Sequence, residues 1–115
     1  MLEELPREVA EKLKEMLKRL KSIFPLESAY LYGSYAKGTW LKTSDLDLIV
    51  VSKGFKNLPF MKRLDLVNRI SWELGENPHI EVIPLTPEEL EAKKKSSILI
   101  RNASKYWLKI PIEDL

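Results

Sequence analysis

The stretch LYGSYAKGTWLKTSDLDLIVV, residues 31–51, decides how this chain is read. It opens as an apolar strand, breaks at Gly33 and Ser34, and resumes as a second apolar run that carries Asp45 and Asp47. Acids are poor strand formers and are costly beside a core. Two residues apart on a strand, their side chains leave the same face, about 6 to 7 Å apart along the chain. Their oxygens can converge there on one small cation. Hard oxygen donors of this kind favour Mg²⁺, which usually also takes water and phosphate oxygens. A bare D-x-D pattern is equally the wet side of a solvated strand.

The preceding turn shifts that balance. YGSYAKG sits at the end of the first strand. A Gly-Ser turn opening a short helix presents backbone N–H groups and a hydroxyl to an anion, and the helix terminus adds partial positive charge. Gly33 lets a ligand approach the backbone, Ser34 would donate to a phosphate, Lys37 one turn on could reach the same phosphates, and Gly38 permits the exit turn. A Gly-Ser pair alone is an ordinary turn. Beside a metal-binding acid pair it becomes a phosphate cradle, which is what transfer of a nucleoside monophosphate needs.

With Gly33 and Ser34 followed by Asp45 and Asp47 inside SDLDLIVV, the chain resembles the DNA polymerase beta-like nucleotidyltransferases, and most closely their minimal archaeal and bacterial domains. The specific match covers residues 30–51. The order of strands and helices through about residue 90 agrees with the family. The resemblance implies a nucleotidyltransferase fold, Mg²⁺ and a nucleoside triphosphate substrate, with ATP the expected nucleotide. It also implies a third carboxylate on a later strand, commonly Asp. The candidate is Glu81 in HIEVIPL, where alternation sets His79, Glu81 and Ile83 on one face and Ile80 and Val82 on the other. Asp45, Asp47 and Glu81 are then the expected catalytic and metal-holding set. Glu is one methylene longer than the usual Asp, a departure that bears on turnover more than on binding. Tyr35 stands where relatives often carry Arg, which would remove one phosphate contact.

The rest of the chain reads as a small α/β domain. Residues 6–22 form an amphipathic helix with Pro6 in its first turn and Leu5, Val9, Leu13, Met16, Leu17 and Leu20 on one face. SAYLYG is a strand. DLDLIVV is another, with Leu46, Leu48 and Val50 opposite Asp45, Asp47 and Ile49. Residues 59–74 are a helix with Phe60, Leu64, Val67, Ile70 or Ser71, and Leu74 as its stripe, stopped by Gly75. TPEEL starts a helix with a capping box from Thr86 and Glu89. That helix is expected to bend and continue over 96–104, and KYWLKI offers a short fourth strand. The expected class is a mixed sheet of three to four strands flanked by helices, in one domain over residues 1–115.

Composition excludes several alternatives. With 115 residues and 44% apolar, the chain can build one modest core. There is no cysteine, so disulfides and thiolate metal sites are out. No apolar run approaches a membrane span, and the charged N-terminus lacks signal-peptide features, so a cytoplasmic protein is expected. A net charge of +2 does not announce a nucleic-acid binder. Gln is absent while Lys, Glu, Leu and Ile are plentiful, which leans towards a thermophile. His79 and the KKK run at 93–95 read as surface residues. Trp40 either stacks on a base, meets a partner or fills a groove. Tyr106 and Trp107 either anchor the C-terminal strand or make a contact between copies, which leaves a homodimer open.

The function expected is Mg²⁺-dependent transfer of a nucleoside monophosphate, AMP if the nucleotide is ATP, to a hydroxyl, with release of pyrophosphate. Minimal relatives are often paired with a small helical HEPN protein in toxin–antitoxin fashion, and the resemblance makes a hydroxyl on such a partner a candidate acceptor. The alternative is a non-catalytic nucleotide-binding module, or an antitoxin that acts by binding a HEPN-type partner.

Overall fold

The computed structural model describes residues 4–115. Its first helix, α1 (Arg7–Ile23), follows Pro6, which has extended backbone and no N–H to lose. The helix buries Val9, Leu13, Met16, Leu17 and Leu20, the face its 3.6-residue periodicity specifies, with Leu5 also buried just ahead of it. The chain turns at Phe24 and Pro25 into β1 (Leu26–Tyr32), then the short helix α2 (Gly33–Lys37), then β2 (Leu46–Ser52). A 3₁₀ turn (Lys53–Phe55) leads to α3 (Phe60–Leu74), which Gly75 stops with φ 91°. Next come β3 (Ile80–Leu85), α4 (Pro87–Ser96), α5 (Ile98–Ala103) and β4 (Leu108–Lys109).

The four strands form one mixed sheet in the order β3-β2-β1-β4. β1 is antiparallel to both β2 and β4, while β2 and β3 run parallel, joined by the α3 crossover that parallel pairing requires. The sheet has a core on each face. On one face Ala29, Leu31, Leu46, Leu48, Val50, Ile80 and Val82 pack against α1 and α3. On the other, Tyr32, Ile49, Val51 and Leu85 pack with Leu90, Ile100 and Ala103 from α4 and α5. Period-2 alternation therefore splits β2 as the sequence implies, and it assigns Asp47 to the α4–α5 face.

Several boundaries differ from the sequence reading. Asp45 precedes β2 rather than lying within it, because Leu46 is the first residue to pair, its N–H donating to His79 O at 2.9 Å. α5 is a separate helix rather than a bent continuation, since Ser97 restarts it by accepting the Ile100 N–H. β4 is two residues long, not six. Within α3, Phe60 is exposed at the head of the stripe, whereas Arg63 is buried. Arg63 donates to Leu58 O, Pro84 O and both Glu89 carboxylate oxygens, so its charge is matched and α3 is clipped to the start of α4. Glu89 also completes the expected capping box with Thr86.

Candidate active site

The site is assembled at one end of β1 and β2. Asp47 pairs in register with Tyr32 on one side and with Glu81 on the other. Parallel register thus sets the Glu81 carboxylate beside that of Asp47, and Asp45 stands two residues before Asp47 in the chain. The three acids are not equivalent. Asp47 is half-buried, whereas Asp45 and Glu81 are exposed. Burial first, then the charges of Glu81 and Asp45, raise the Asp47 carboxyl to about 6. Tyr32 feels the same field: burial, then Asp47 and Glu81, push its hydroxyl above the ordinary range, so it stays protonated.

Gly33 is fixed by this arrangement. Its φ is +74°, and a Cβ built there would collide with the Asp47 carboxylate. Glycine is required because the turn closes directly on Asp47. Close ligand approach, the role expected of Gly33 from sequence, is therefore not the reason the fold requires it. Ser34 follows, half-buried in the first turn of α2. Gly38 ends α2 in the left-handed conformation, with φ 80° and open space where a Cβ would be, so its contribution is the shape of the turn. Lys37 is exposed, and its Nζ stands 4.7 Å from the centre of the Tyr106 ring.

Sequence reasoning missed Tyr106 at this site. Its hydroxyl accepts the Gly33 N–H at 3.1 Å across 73 residues of chain, a contact that no local spacing signals. The other aromatics resolve plainly. Trp107 stacks on Tyr30 at 4.2 Å and anchors the C-terminal strand. Tyr35 is buried on the α1 side and stacks on Trp40 at 5.3 Å, so it packs rather than binds phosphate. Trp40 fills part of a groove lined also by Pro6, Val9, Lys42 and Pro78, which holds none of the three acids. His79 Nδ1 lies 3.4 Å from Ser71 Oγ on α3. Lys94 reaches both Glu91 and the Trp107 ring, while Lys93 and Lys95 are solvated as expected.

A glycine turn packed on a strand carboxylate, with a second carboxylate in register, makes up the candidate site. Residues 13–105 match the family model described as the nucleotidyltransferase domain. The chain belongs to the nucleotidyltransferase family. A relative from Methanocaldococcus jannaschii, whose name proposes a protein adenylyltransferase, is 36% identical over 89 residues. The match covers 73% of this chain and 58% of that relative. The crystal structure of a Sulfolobus solfataricus protein, assigned there as a candidate nucleotidyltransferase, superposes with a TM-score of 0.57 at 32% identity, covering 71% of this chain and 70% of that one. The mixed sheet and flanking helices are thus those of a nucleotidyltransferase domain.

Nucleotidyltransferases generally work with a divalent metal, and the donor set here suits one. Among the described residues, no three Asp, Glu or His side chains are gathered closely enough to hold a metal ion as a set, so Asp45, Asp47 and Glu81 are neighbours here but not a formed three-ligand site. An open pair is what a hard cation needs if it is to keep positions for phosphate oxygens. Burial first, and then the charges of Glu81 and Asp45, favour the neutral Asp47 carboxyl, and a bound cation would offset both.

Proposed function

We propose that this domain binds a nucleoside triphosphate, ATP in the first instance, and transfers its nucleoside monophosphate to a hydroxyl. The acceptor oxygen bonds to the α-phosphorus, the bond from that phosphorus to the bridging oxygen breaks, and pyrophosphate leaves. The observation that carries this reading is the register of Asp47 with Glu81, beside a Gly33 turn that closes on Asp47. Asp45, Asp47 and Glu81 would hold Mg²⁺, which when bound neutralises the triphosphate and acidifies the attacking hydroxyl. The turn at Gly33 and Ser34 would receive the phosphates by backbone N–H and hydroxyl, with Lys37 adding charge and Gly38 shaping the exit. The name of the archaeal relative supports AMP as the group and a protein as the acceptor. A HEPN-type helical partner is the acceptor protein that the family resemblance suggests.

Glu81 separates this reading from that of a binding module. It lies beside Asp47 but is exposed and carries a longer side chain than the family's usual Asp. We expect Glu81→Gln to lower transfer far more than it lowers ATP affinity, the mark of an interaction made mainly in the transition state. The measurement pairs ATP affinity with the rate of label transfer from α-labelled ATP and Mg²⁺ to a co-purifying partner. Parental transfer by Glu81→Gln would make Glu81 a bystander. Tight ATP binding by the parent without transfer to its natural partner would replace the enzyme by a nucleotide-responsive binding module.

A further inference from the structure

Tyr106 lies between α5 and β4, and its position is fixed from both sides. Trp107 stacks on Tyr30, and Leu108 and Lys109 pair with Leu31 and Tyr30 of β1. On the other side, the Tyr106 N–H donates to Ala103 O at 3.1 Å. From there its hydroxyl takes the Gly33 N–H, and its ring lies under the Lys37 ammonium. One side chain therefore engages two of the groups assigned above to the triphosphate. Burial does not force the contact, because Gly33 and Tyr106 are both only partly buried.

We propose that Tyr106 is an internal latch on the nucleotide site: its hydroxyl holds the Gly33 N–H and its ring holds Lys37, and an arriving triphosphate displaces both. Nucleotide binding is then coupled to movement of the segment 104–109. This rests on the reading of Gly33, Ser34 and Lys37 as triphosphate contacts. The exchange has a favourable direction, since a phosphate oxygen accepts a charge-assisted hydrogen bond from the amide, roughly twice as strong as one to a neutral phenol. Lys37 likewise trades a ring face for an anion. In the absence of nucleotide the latch keeps the amide satisfied and adds to the Trp107 stack and the strand pairing that dock the C-terminal strand on β1.

Tyr106→Phe is the direct test, because it keeps the ring under Lys37 and removes only the hydroxyl that competes for the amide. ATP with Mg²⁺ should bind about threefold to tenfold more tightly, the range of one ordinary hydrogen bond. The metal-free, nucleotide-free variant should melt at a lower temperature than the parent. A purely structural role would lower stability without improving affinity, so the opposed signs identify the latch. In the parent, adding ATP and Mg²⁺ should speed amide hydrogen exchange over 105–109. Affinity unchanged or weakened in Tyr106→Phe, or exchange over 105–109 slowed by nucleotide, would overturn the proposal. Ser34→Ala separates the two layers. If it binds ATP more weakly than the parent while Tyr106→Phe binds like the parent, the latch alone fails. If Ser34→Ala also binds like the parent, the cradle assignment fails and takes the latch with it.

Discussion

Without a cation, Asp47 is half-buried, and burial followed by the charges of Glu81 and Asp45 raises its carboxyl to about 6. The folded state therefore binds this proton more readily than the unfolded chain, whose Asp titrates near its ordinary value of about 4. Ionised Asp47 destabilises the metal-free fold above pH 6, and that cost is relieved as the pH falls from 6 towards 4. The residue is far from fully buried, so screening reduces the effect to about 1 kcal/mol. Glu89 acts oppositely. Burial favours its neutral form, but hydrogen bonds from Arg63 and from the Thr86 backbone outweigh this and lower its carboxyl, so its contribution is lost only at lower pH. Asp47→Asn should therefore be more stable than the parent at pH 7 by about 1 kcal/mol, with the difference about halved at pH 5 and closed at about pH 4. Urea unfolding at about pH 7, 5 and 4 measures it, and a pH-independent difference would contradict the assignment. At this scale much of the candidate site was legible as a local arrangement. Gly33, Ser34, Asp45 and Asp47 share one short stretch, where local spacing carries the signal. Tyr106 was not legible, because its contact with Gly33 depends on how β4 docks on β1.

The elements divide along the same line. The apolar stripe of α1 and the capping box of α4 could be read from sequence because each is fixed by residues three or four apart. The break at Ser97 and the shortness of β4 could not, since a restarted cap and an edge strand depend on what they pack against. Arg63 is the clearest case. On a helical wheel it is one more polar residue, yet its side chain is 5% exposed and spans α3, the end of β3 and the first turn of α4. The Arg63 clip ties the first turn of α4 to the end of the strand that carries Glu81. Arg63→Ala strands two carbonyl acceptors and the Glu89 charge, so it should cost about 3 kcal/mol. Denaturant titration reads this as a lower midpoint with an unchanged slope. A loss below about 0.5 kcal/mol, the level of an ordinary surface substitution, would show that the clip is not structural.

Across the whole molecule, two features bring the chemistry together. Parallel pairing of β2 with β3 sets Glu81 beside Asp47, and the positive-φ turn at Gly33, where β1 passes into α2, closes on the same carboxylate. The alternation of strands and helices made the mixed α/β class legible, and family resemblance supplied the strand on which a third acid belongs. The unequal burial of the acids was not legible, because a D-x-D pattern does not reveal that the ladder begins between its members. The central claim is that Asp45 and Asp47 together hold a metal–nucleotide complex. Calorimetric titration of ATP with Mg²⁺ into the parent, Asp45→Asn and Asp47→Asn tests it most directly, with circular dichroism confirming that each variant stays folded. Each substitution should weaken Mg²⁺-dependent binding at least about tenfold, the loss of one charge-assisted ligand. Parental affinity in both variants would show that the nucleotide is held elsewhere.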